Sequence, residues 1–312
     1  MKILIIDKID NYLKNKLLQN NCDFTENLSD SKEQILKKFN FDGLILRSRF
    51  NIDFDFIKKA KNLKFIARYG SGMEHIDTKS AEKYNITCIN CPEGNKDAVA
   101  EHAIGLILCL FNKINISNHQ IKTGIWNREN NRGLELMNKT IGVIGYGNTG
   151  QSLCEKLKGF NCNIIVYDKY KKNYGNEFIR EVSMDEIFNH SNILSIHIPL
   201  NKETGNMINK SFLNKFKKAI FIINTSRGQI INTNDLIYFL KNQRILGAGL
   251  DVLEYEENSF DKINSKNDNM IFLKKSDNVL LTPHIAGLTF ESRKRLSEIL
   301  ANKILDFIKS IK

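Results

Sequence analysis

Short apolar runs alternate with polar, helix-like stretches over the first 90 residues of the chain. Strand patterns occupy residues 3–7, 43–47, 65–69 and 86–90, and residues 52–61 have the spacing of a helix. Strands that alternate with helices favour a parallel sheet, because each parallel connection needs a crossover. The pattern therefore predicts an α/β unit in this part of the chain.

A second series of elements follows a long apolar helix, which the pattern predicts over residues 99–118. This helix is more hydrophobic than a helix facing solvent should be, which predicts a place at a domain or subunit interface. Strand patterns then begin at Thr140 and continue at residues 164–168, 193–198, 219–224, 247–251 and 279–282. Residues 291–311 repeat apolar side chains at a helical period, and we expect this last helix to return to the first unit.

A glycine-rich turn follows the apolar run 141–144 and consists of Gly145, Tyr146, Gly147, Asn148, Thr149 and Gly150. The first glycine permits a tight turn, the second lets the backbone approach a pyrophosphate, and the third lets the next helix pack close to the strand. Asp168 ends the next apolar strand, 18 positions after Gly150. Its carboxylate is placed to bind both ribose hydroxyls of an adenosine, so the spacing predicts an NAD site.

Length and the glycine motif together set the expected domain organisation. A chain of 312 residues exceeds the roughly 150 residues of an average domain, which favours two domains. We expect two Rossmann-like, doubly wound parallel-sheet domains of the α/β class. The NAD-binding domain would cover residues 96–285, and the substrate-binding domain would be formed from both chain ends, residues 1–95 and 286–312.

Composition excludes several classes of partner. The net charge is +11, yet the lysines are dispersed and form no basic arm or aromatic-basic motif, so we expect no nucleic-acid partner. The charge suits an anionic metabolite. No apolar run approaches the roughly 18 residues that cross a bilayer, and the first residues form a strand pattern rather than a signal peptide. We therefore expect a cytoplasmic protein with no membrane partner.

The six cysteines lie in apolar or strand-like contexts, without the density of a disulfide scaffold. Reduced thiols are the simplest interpretation. Cys88 and Cys91 have the spacing of a C-x-x-C motif, and a redox or metal role is the alternative to a chance spacing. No second pair or nearby histidine completes a zinc site, so we interpret the spacing as coincidence and expect no metal.

Several motifs resemble those of the D-isomer-specific 2-hydroxyacid dehydrogenase family, and the resemblance runs through nearly all of the chain. Residues 68–77, with Gly70, Ser71 and Gly72, look like the family's substrate loop. Residues 95–108 resemble its G-N-x-x-x-V-A-E-H-A-x-G-L helix, and residues 126–136 match its W-x-R…G-x-E-L lead into the nucleotide fold. The resemblance implies hydride transfer between NAD and a small 2-hydroxy or 2-oxo acid bound between two domains.

Two catalytic groups follow apolar strands. Arg227 lies where the open end of a parallel sheet places ligand-binding groups, and the resemblance makes it the substrate anchor. A guanidinium binds a carboxylate through two hydrogen bonds, which a lysine cannot reproduce. His284 would be the general acid/base, since its imidazole titrates near neutral pH. An ordinary surface arginine and a packed or surface histidine are the alternatives.

The acidic segment after Gly249 contains two carboxylates to which the resemblance assigns roles, Asp251 near the nicotinamide and Glu256 against the catalytic imidazole. A carboxylate beside His284 would favour its proton-donating form. Glu254 and Glu257 compete with Glu256 for this role, and the family usually has proline where Glu257 stands. A solvated loop charge is the other alternative for Glu256.

The resemblance also places a set of residues beside the cofactor, where they would pack and orient it: His197, Pro199, Thr225 and Gly287. His102, in the apolar helix, is better interpreted as a satisfied buried or interface histidine than as a ligand.

The substrate is the least constrained inference. Arg47, Ser48 and Arg49 resemble the family's R-S-R segment and could face a phosphate, which favours D-3-phosphoglycerate. Glyoxylate or hydroxypyruvate reduction is the alternative within the family, and an NAD-sensing corepressor is the alternative of another class. The apolar helix and the dimers typical of the family imply a homodimer.

Overall fold

The computed structural model describes residues 1–256 and 267–311, which fold into two units. The smaller unit combines Met1–Lys96 with residues 288–311, and the larger unit combines Asp97–Glu256 with residues 267–287. Each unit contains one all-parallel sheet, of five and seven strands respectively. The predicted α/β class with two doubly wound sheets is confirmed.

The smaller unit has the strand order β2-β1-β3-β4-β5. Its elements are β1 (Lys2–Ile5), α1 (Asn11–Leu18), β2 (Asp23–Glu26), α2 (Lys32–Lys37), β3 (Gly43–Leu46), α3 (Phe54–Lys59), β4 (Phe65–Arg68), α4 (Thr78–Lys83), β5 (Thr87–Ile89) and, from the end of the chain, α12 (Phe290–Ser310). Helix α12 packs against α1 and β5, so both chain ends build this unit.

The larger unit has the strand order β12-β11-β10-β9-β6-β7-β8. Its elements are α5 (Lys96–Phe111), α6 (Ile114–Lys122), β6 (Thr140–Ile144), α7 (Asn148–Leu157), β7 (Asn163–Tyr167), β8 (Ile179–Glu181), α8 (Met184–His190), β9 (Ile193–Ile196), α9 (Lys210–Leu213), β10 (Ile220–Asn224), α10 (Thr233–Lys241), β11 (Ile245–Leu250), α11 (Asp268–Lys275) and β12 (Val279–Leu281). The chain runs outward from β6 in one direction and then resumes at β9 on the other side, which creates a topological switch between β6 and β9.

Both sheets are covered on their two faces, as buried parallel strands require. In β1, Ile3 and Ile5 pack with α12 on one face, while Leu4 packs with α3 on the other. In the larger sheet, Val143 faces α5 and Ile144 faces the opposite cluster around α8 and α10. Because successive strand side chains point to opposite faces, these continuous apolar runs fill two cores each.

Three expectations about the elements need correction. The apolar stretch 99–118 is not one helix: α5 ends at Phe111 and α6 begins at Ile114. Lys113 between them has a left-handed backbone with φ of 51°, and the carbonyl of Phe111 accepts the N–H of Leu134 instead of continuing the helix. The strands β2 and β8 were also missed, because most of their side chains are exposed or half-buried and show no apolar run.

No single helix in residues 1–256 and 267–311 is long and apolar enough to cross a membrane, and α5 with α6 reaches such a length only across a bend of 61°.

Candidate active site

The predicted groups of the larger unit gather at one edge of its sheet. Parallel strands all end on the same side, so residues that directly follow β6, β7, β9, β10, β11 and β12 lie along the carboxyl edge. These residues are the glycine turn after β6, Asp168 after β7, His197 after β9, Arg227 after β10, Asp251 and Glu256 after β11, and His284 after β12.

The glycine turn fits a pyrophosphate. Gly145 has φ of 97°, and a Cβ there would lie 2.3 Å from the carbonyl oxygen of His197 across the switch. A Cβ on Gly150 would lie 2.0 Å from the carbonyl of Gly145, whereas one on Gly147 would meet nothing within 4 Å. The backbone at Gly147 is therefore open to a ligand. Helix α7 begins there without a side-chain cap, which leaves its first N–H groups for an anion.

The carboxylate of Asp168 fits the ribose of a dinucleotide. It accepts the backbone N–H groups of Tyr146 at 2.7 Å and of Tyr170 and Lys171 at 2.9 Å. Burial alone would raise the pKa of Asp168, but these N–H groups together lower it. A carboxylate offers about four lone-pair directions, so the charged group retains capacity for a hydroxyl donor.

His197 and Thr225 line the next part of the edge. His197 is buried beside the Ser195 hydroxyl, 2.8 Å from its Nε2, and burial lowers the pKa of His197 to about 4. Its ring is therefore neutral at neutral pH. The buried hydroxyl of Thr225 has no hydrogen-bond partner within the described chain, which fits a polar ligand group at this point. Pro199 is exposed and accepts the Thr204 hydroxyl at 2.6 Å.

Arg227 is held by the turn that follows β10. The side-chain amide of Asn224 donates to the Arg227 carbonyl at 3.0 Å, and the Arg227 guanidinium donates to the Ser226 carbonyl at 2.6 Å. The next residue must be small, since a Cβ on Gly228 would lie 2.0 Å from the backbone carbon of Leu253. This close approach sets the arginine turn directly against the segment after β11.

His284 and Glu256, the predicted proton-transfer pair, lie within hydrogen-bond distance of each other. The Glu256 carboxylate lies 2.7 Å from Nδ1 of His284 and also accepts the N–H of Leu253. The competing Glu254 turns away and accepts the N–H of Thr233 at 2.9 Å. Glu257, the other predicted competitor, lies outside the described residues.

Asp251 has a role that the sequence did not indicate. Its place beside the nicotinamide stays a prediction. Its buried carboxylate accepts the Thr282 hydroxyl at 2.6 Å and the N–H groups of Ile285 and Ala286, both at 2.9 Å. Its carbonyl accepts the N–H of His284 at 2.8 Å. These acceptors grip residues 282–287, here named the His284 turn. Gly287 ends this turn.

The smaller unit has its own carboxyl edge, where the predicted substrate residues lie. Arg47 directly follows β3 and is exposed, and its N–H donates to Asp7 at 2.6 Å. Arg49 does not face outward: its guanidinium donates to the carbonyls of Ile6 at 3.0 Å, Asn27 at 2.6 Å and Asp30. It thereby joins three loops of this unit. The pair Arg47 and Arg49 thus separates into one exposed and one internal guanidinium.

The substrate loop of the smaller unit is built around Gly70 and Ser71. Gly70 has φ of 147°, and a Cβ there would lie 1.4 Å from Nη1 of Arg68, so only glycine fits. The Ser71 hydroxyl donates to Asn95 at 2.6 Å, and Asn90 donates to the Ser71 carbonyl at 2.6 Å. Sequence reasoning missed Arg68, whose guanidinium lies over the loop. Its position at the end of β4, directly before the loop, was the available signal.

Cys88 and Cys91, which share the C-x-x-C spacing, are half-buried and buried respectively. All six are free, and burial raises the pKa of Cys88 and Cys91 to about 11. Thiols that stay protonated at neutral pH are poor nucleophiles and poor metal ligands. Residues 1–256 and 267–311 contain no cluster of histidine, cysteine or acidic side chains that could hold a metal ion.

Comparison with known proteins identifies the family to which the chain is similar. Residues 104–286 match the family model described as D-isomer specific 2-hydroxyacid dehydrogenase, NAD binding domain. A D-3-phosphoglycerate dehydrogenase of Archaeoglobus fulgidus is 32% identical over 100% of this chain and 58% of the relative. A hydroxypyruvate reductase of Thermotoga maritima is 35% identical over 88% of this chain and 87% of the relative. The chain thus spans little more than half of the first of these two relatives.

The fold is also found among solved structures. An acyclic imino acid reductase in complex with NADPH and D-Arg superposes with a TM-score of 0.88 and is 30% identical, covering 99% of this chain and 98% of the other. The similarity covers residues of both units.

Proposed function

Since the chain belongs to the D-isomer-specific 2-hydroxyacid dehydrogenase family, with NAD as the cofactor of its larger unit, we propose that it interconverts D-3-phosphoglycerate and 3-phosphohydroxypyruvate. The observation that carries the reaction class is the His284–Glu256 pair at 2.7 Å, on the same sheet edge as the glycine turn. A protein that only senses NAD has no need of a proton-transfer pair, so this observation supports an enzyme over a corepressor.

The proposed mechanism assigns one task to each group. Arg227 would bind the substrate carboxylate through paired hydrogen bonds, and its charge would polarise the neighbouring 2-oxo group. His284 would deliver a proton from Nε2 to the oxygen during reduction and take it back during oxidation. Glu256 would keep Nδ1 protonated and fix the plane of the ring. The bound nicotinamide would supply or accept the hydride.

The cofactor would be held by contacts that the larger unit already provides. The glycine turn with Asn148 and Thr149, at the start of α7, would bind the pyrophosphate, and Asp168 would bind the ribose. His197 and Thr225 would face the cofactor between these groups and Arg227. Because the His197 ring is neutral, it would add no positive charge near the nicotinamide. Proton transfer at this edge is assigned to the ring of His284 instead.

Support for a phosphorylated substrate comes from the smaller unit. Its strand order places a topological switch between β1 and β3, and ligands of open α/β sheets bind at such points beyond the carboxyl ends of the strands. Arg47 lies there with an exposed side chain, and Arg68 ends the next strand of the sheet. Two guanidinium groups at one edge of the sheet would suit the phosphate dianion of a substrate, which lies away from the reacting carbon.

One observation favours the alternative, reduction of hydroxypyruvate or glyoxylate. The carboxylate of Asp7 lies at the same switch, where it accepts the N–H groups of Arg47 at 2.6 Å and Arg49 at 3.4 Å. A negative charge at this point opposes a phosphate. The hydroxypyruvate reductase of Thermotoga maritima is as similar to this chain as the D-3-phosphoglycerate dehydrogenase is, at 35% and 32% identity.

A substrate panel tests the proposal. Purified protein is supplied with NADH and, in separate assays, 3-phosphohydroxypyruvate, hydroxypyruvate and glyoxylate, and the loss of nicotinamide absorbance is followed. We expect the highest kcat/KM for 3-phosphohydroxypyruvate. A higher value for either unphosphorylated acid would replace the proposed substrate, and no reduction of any acid would reject the enzymatic function.

We also propose that the protein is a cytoplasmic homodimer. The buried face of α5 packs into the core of its own unit, so this helix does not supply the expected interface alone. Helix α6 has no buried residue, and Trp126 after it is 78% exposed. Other exposed apolar side chains near it in sequence are Ile114, Ile121, Ile125, Leu134 and Met137. Light scattering of the Trp126→Glu variant, expected to be monomeric beside a dimeric parent, tests this surface.

A further inference from the structure

His102 makes a polar contact that the mechanism above does not use. It lies on α5, a helix whose buried residues are all apolar, and its own side chain is half-buried, with 22% exposed. Its Nε2 lies 3.0 Å from the hydroxyl oxygen of Thr282 and 3.5 Å from a carboxylate oxygen of Asp251. The histidine therefore reaches the His284 turn from a different element of the same unit.

The hydrogens in this cluster can be assigned by counting donors. A carboxylate only accepts, so the single hydroxyl hydrogen of Thr282 goes to Asp251 at 2.6 Å. The Thr282 oxygen can then only accept from His102, which requires a hydrogen on Nε2. The result is a directed chain in which His102 donates to Thr282 and Thr282 donates to Asp251.

This chain ends on the group that shapes the His284 turn. Asp251 accepts the N–H groups of Ile285 and Ala286 through its carboxylate, and the N–H of His284 through its carbonyl. His284 has φ of 55°, a left-handed conformation that side chains other than glycine adopt at a cost. Such a conformation persists where surrounding contacts over-determine it, and Asp251 supplies those contacts.

We propose that His102 is a positioning residue for His284, acting through Thr282 and Asp251. The Nε2–H of His102 fixes the direction of the Thr282 hydroxyl, which keeps Asp251 oriented toward the turn and Nε2 of His284 toward the substrate. The inference rests on the proposed role of His284 in proton transfer. It makes His102 and Asp251 a second histidine–carboxylate pair, which supports the His284–Glu256 pair.

Two substitutions at His102 separate positioning from packing. Glutamine places an amide N–H near the position of Nε2, whereas asparagine ends near Nδ1 and cannot reach Thr282. We expect His102→Asn to lower kcat about tenfold with little change in the KM for NADH, which corresponds to about 1.4 kcal/mol in the transition state. His102→Gln should recover most of the loss. The exposed His190→Ala is the matched control and should leave kcat unchanged.

A double-mutant cycle tests the route through Thr282. Thr282→Val removes the hydroxyl that receives the hydrogen of His102, so adding His102→Asn to it should cost little more. Additive losses would show that His102 acts by another route, and equal activity of the asparagine and glutamine variants would overturn positioning by a directed hydrogen bond.

A measurement without substrate keeps this inference separate from the proposed function. In protein labelled with ¹³C at histidine Cε1, the His284 resonance is assigned by its loss in His284→Ala. We expect His102→Asn to shift that resonance and His102→Gln to restore it, whether or not any 2-oxo acid is reduced. An unmoved His284 resonance in His102→Asn would overturn the inference, while a shift in a protein that reduces no acid would reject only the proposed function.

Discussion

The carboxyl edges of the two sheets hold their polar side chains in different ways. At the larger sheet, Asp251 is 1% exposed and grips the His284 turn, and His197 is buried. At the smaller sheet, Arg47 is exposed, and the substrate loop is open enough for the guanidinium of Arg68 to lie over Gly70. One edge is therefore rigidly specified by buried hydrogen bonds, and the other offers charges that remain partly in water.

This difference corresponds to two chemical requirements. Proton transfer needs an imidazole at hydrogen-bond distance from the reacting oxygen, and small misplacements are costly. Recognition of a remote anion needs only positive charge of suitable reach, which long side chains supply without a fixed position. Under the proposed function, the larger unit would carry out the reaction, and the choice of substrate would depend on the less constrained groups of the smaller unit.

The largest effect should come from the tightly held edge. We expect His284→Ala to lower kcat by about a hundredfold or more, because general acid/base groups contribute on that scale. NADH binding, measured by fluorescence titration, should be nearly unchanged, because no contact proposed for the cofactor is lost. Turnover at the parent rate would remove His284 from the mechanism.

Glu256→Gln serves as the companion to that variant. It keeps an oxygen for the N–H of Leu253 but loses the carboxylate that accepts from Nδ1, so kcat should fall while NADH binding stays nearly unchanged. An unchanged kcat would point to another carboxylate.

The second effect concerns the buried His197 and the stability of the folded protein. Above about pH 6.5 the ring is neutral in both folded and unfolded chains. Below that value the unfolded chain gains a proton, while the folded chain gains it only near pH 4, so stability falls as the pH drops through this window. At pH 5 the loss should be about 2 kcal/mol, from a pH difference of about 1.5 units at 1.36 kcal/mol each.

Urea unfolding followed by circular dichroism at pH 7.5 and pH 5 measures that loss. His197→Gln retains a polar group near Ser195 but cannot titrate, so the part of the pH dependence due to this ring should disappear. The same pH dependence in the glutamine variant would assign the loss to other groups.

The third effect is on cofactor choice at the outer part of the larger edge. Asp168→Ala removes the acceptor proposed for the ribose and the charge that repels a 2′-phosphate, although Lys169, Lys171 and Lys172 soften that repulsion. We expect the ratio of kcat/KM for NAD over NADP to fall by about tenfold, the scale of one hydrogen bond to a charged group. A parent enzyme that prefers NADP, or an unchanged ratio, would contradict the ribose assignment.

The sequence predicted the rigid edge better than the open one. Arg227, His284 and the glycine turn each follow an apolar strand, so periodicity and motif agreed on their position. Contacts between distant segments gave no such signal. Only the fold reveals that Asp251 accepts hydrogen bonds from the His284 turn and that His102 contacts Thr282. The strands β2 and β8 were missed for a related reason, since these two strands bury too few side chains to produce an apolar pattern.

Arg47 and Arg49 illustrate the same limit in the smaller unit. The sequence offered both as residues that could face a phosphate, and they stand two positions apart, just after β3. What separates them is the set of carbonyls from Ile6, Asn27 and Asp30 that binds the Arg49 guanidinium. Partners that lie about 20 to 40 positions away in the chain cannot be inferred from a local segment.

The smallest effect tests the open edge itself. Arg47→Ala should lower kcat/KM for 3-phosphohydroxypyruvate by about fivefold, because an exposed charge pair contributes about 1 kcal/mol at most. The value for hydroxypyruvate should change little, since that acid carries no phosphate.

Arg49→Ala should instead lower the urea midpoint of unfolding, because it leaves three backbone carbonyls without their donor. Equal losses for both acids in Arg47→Ala would give this arginine a general role, and selective loss of the phosphorylated acid in Arg49→Ala would exchange the roles of the two residues.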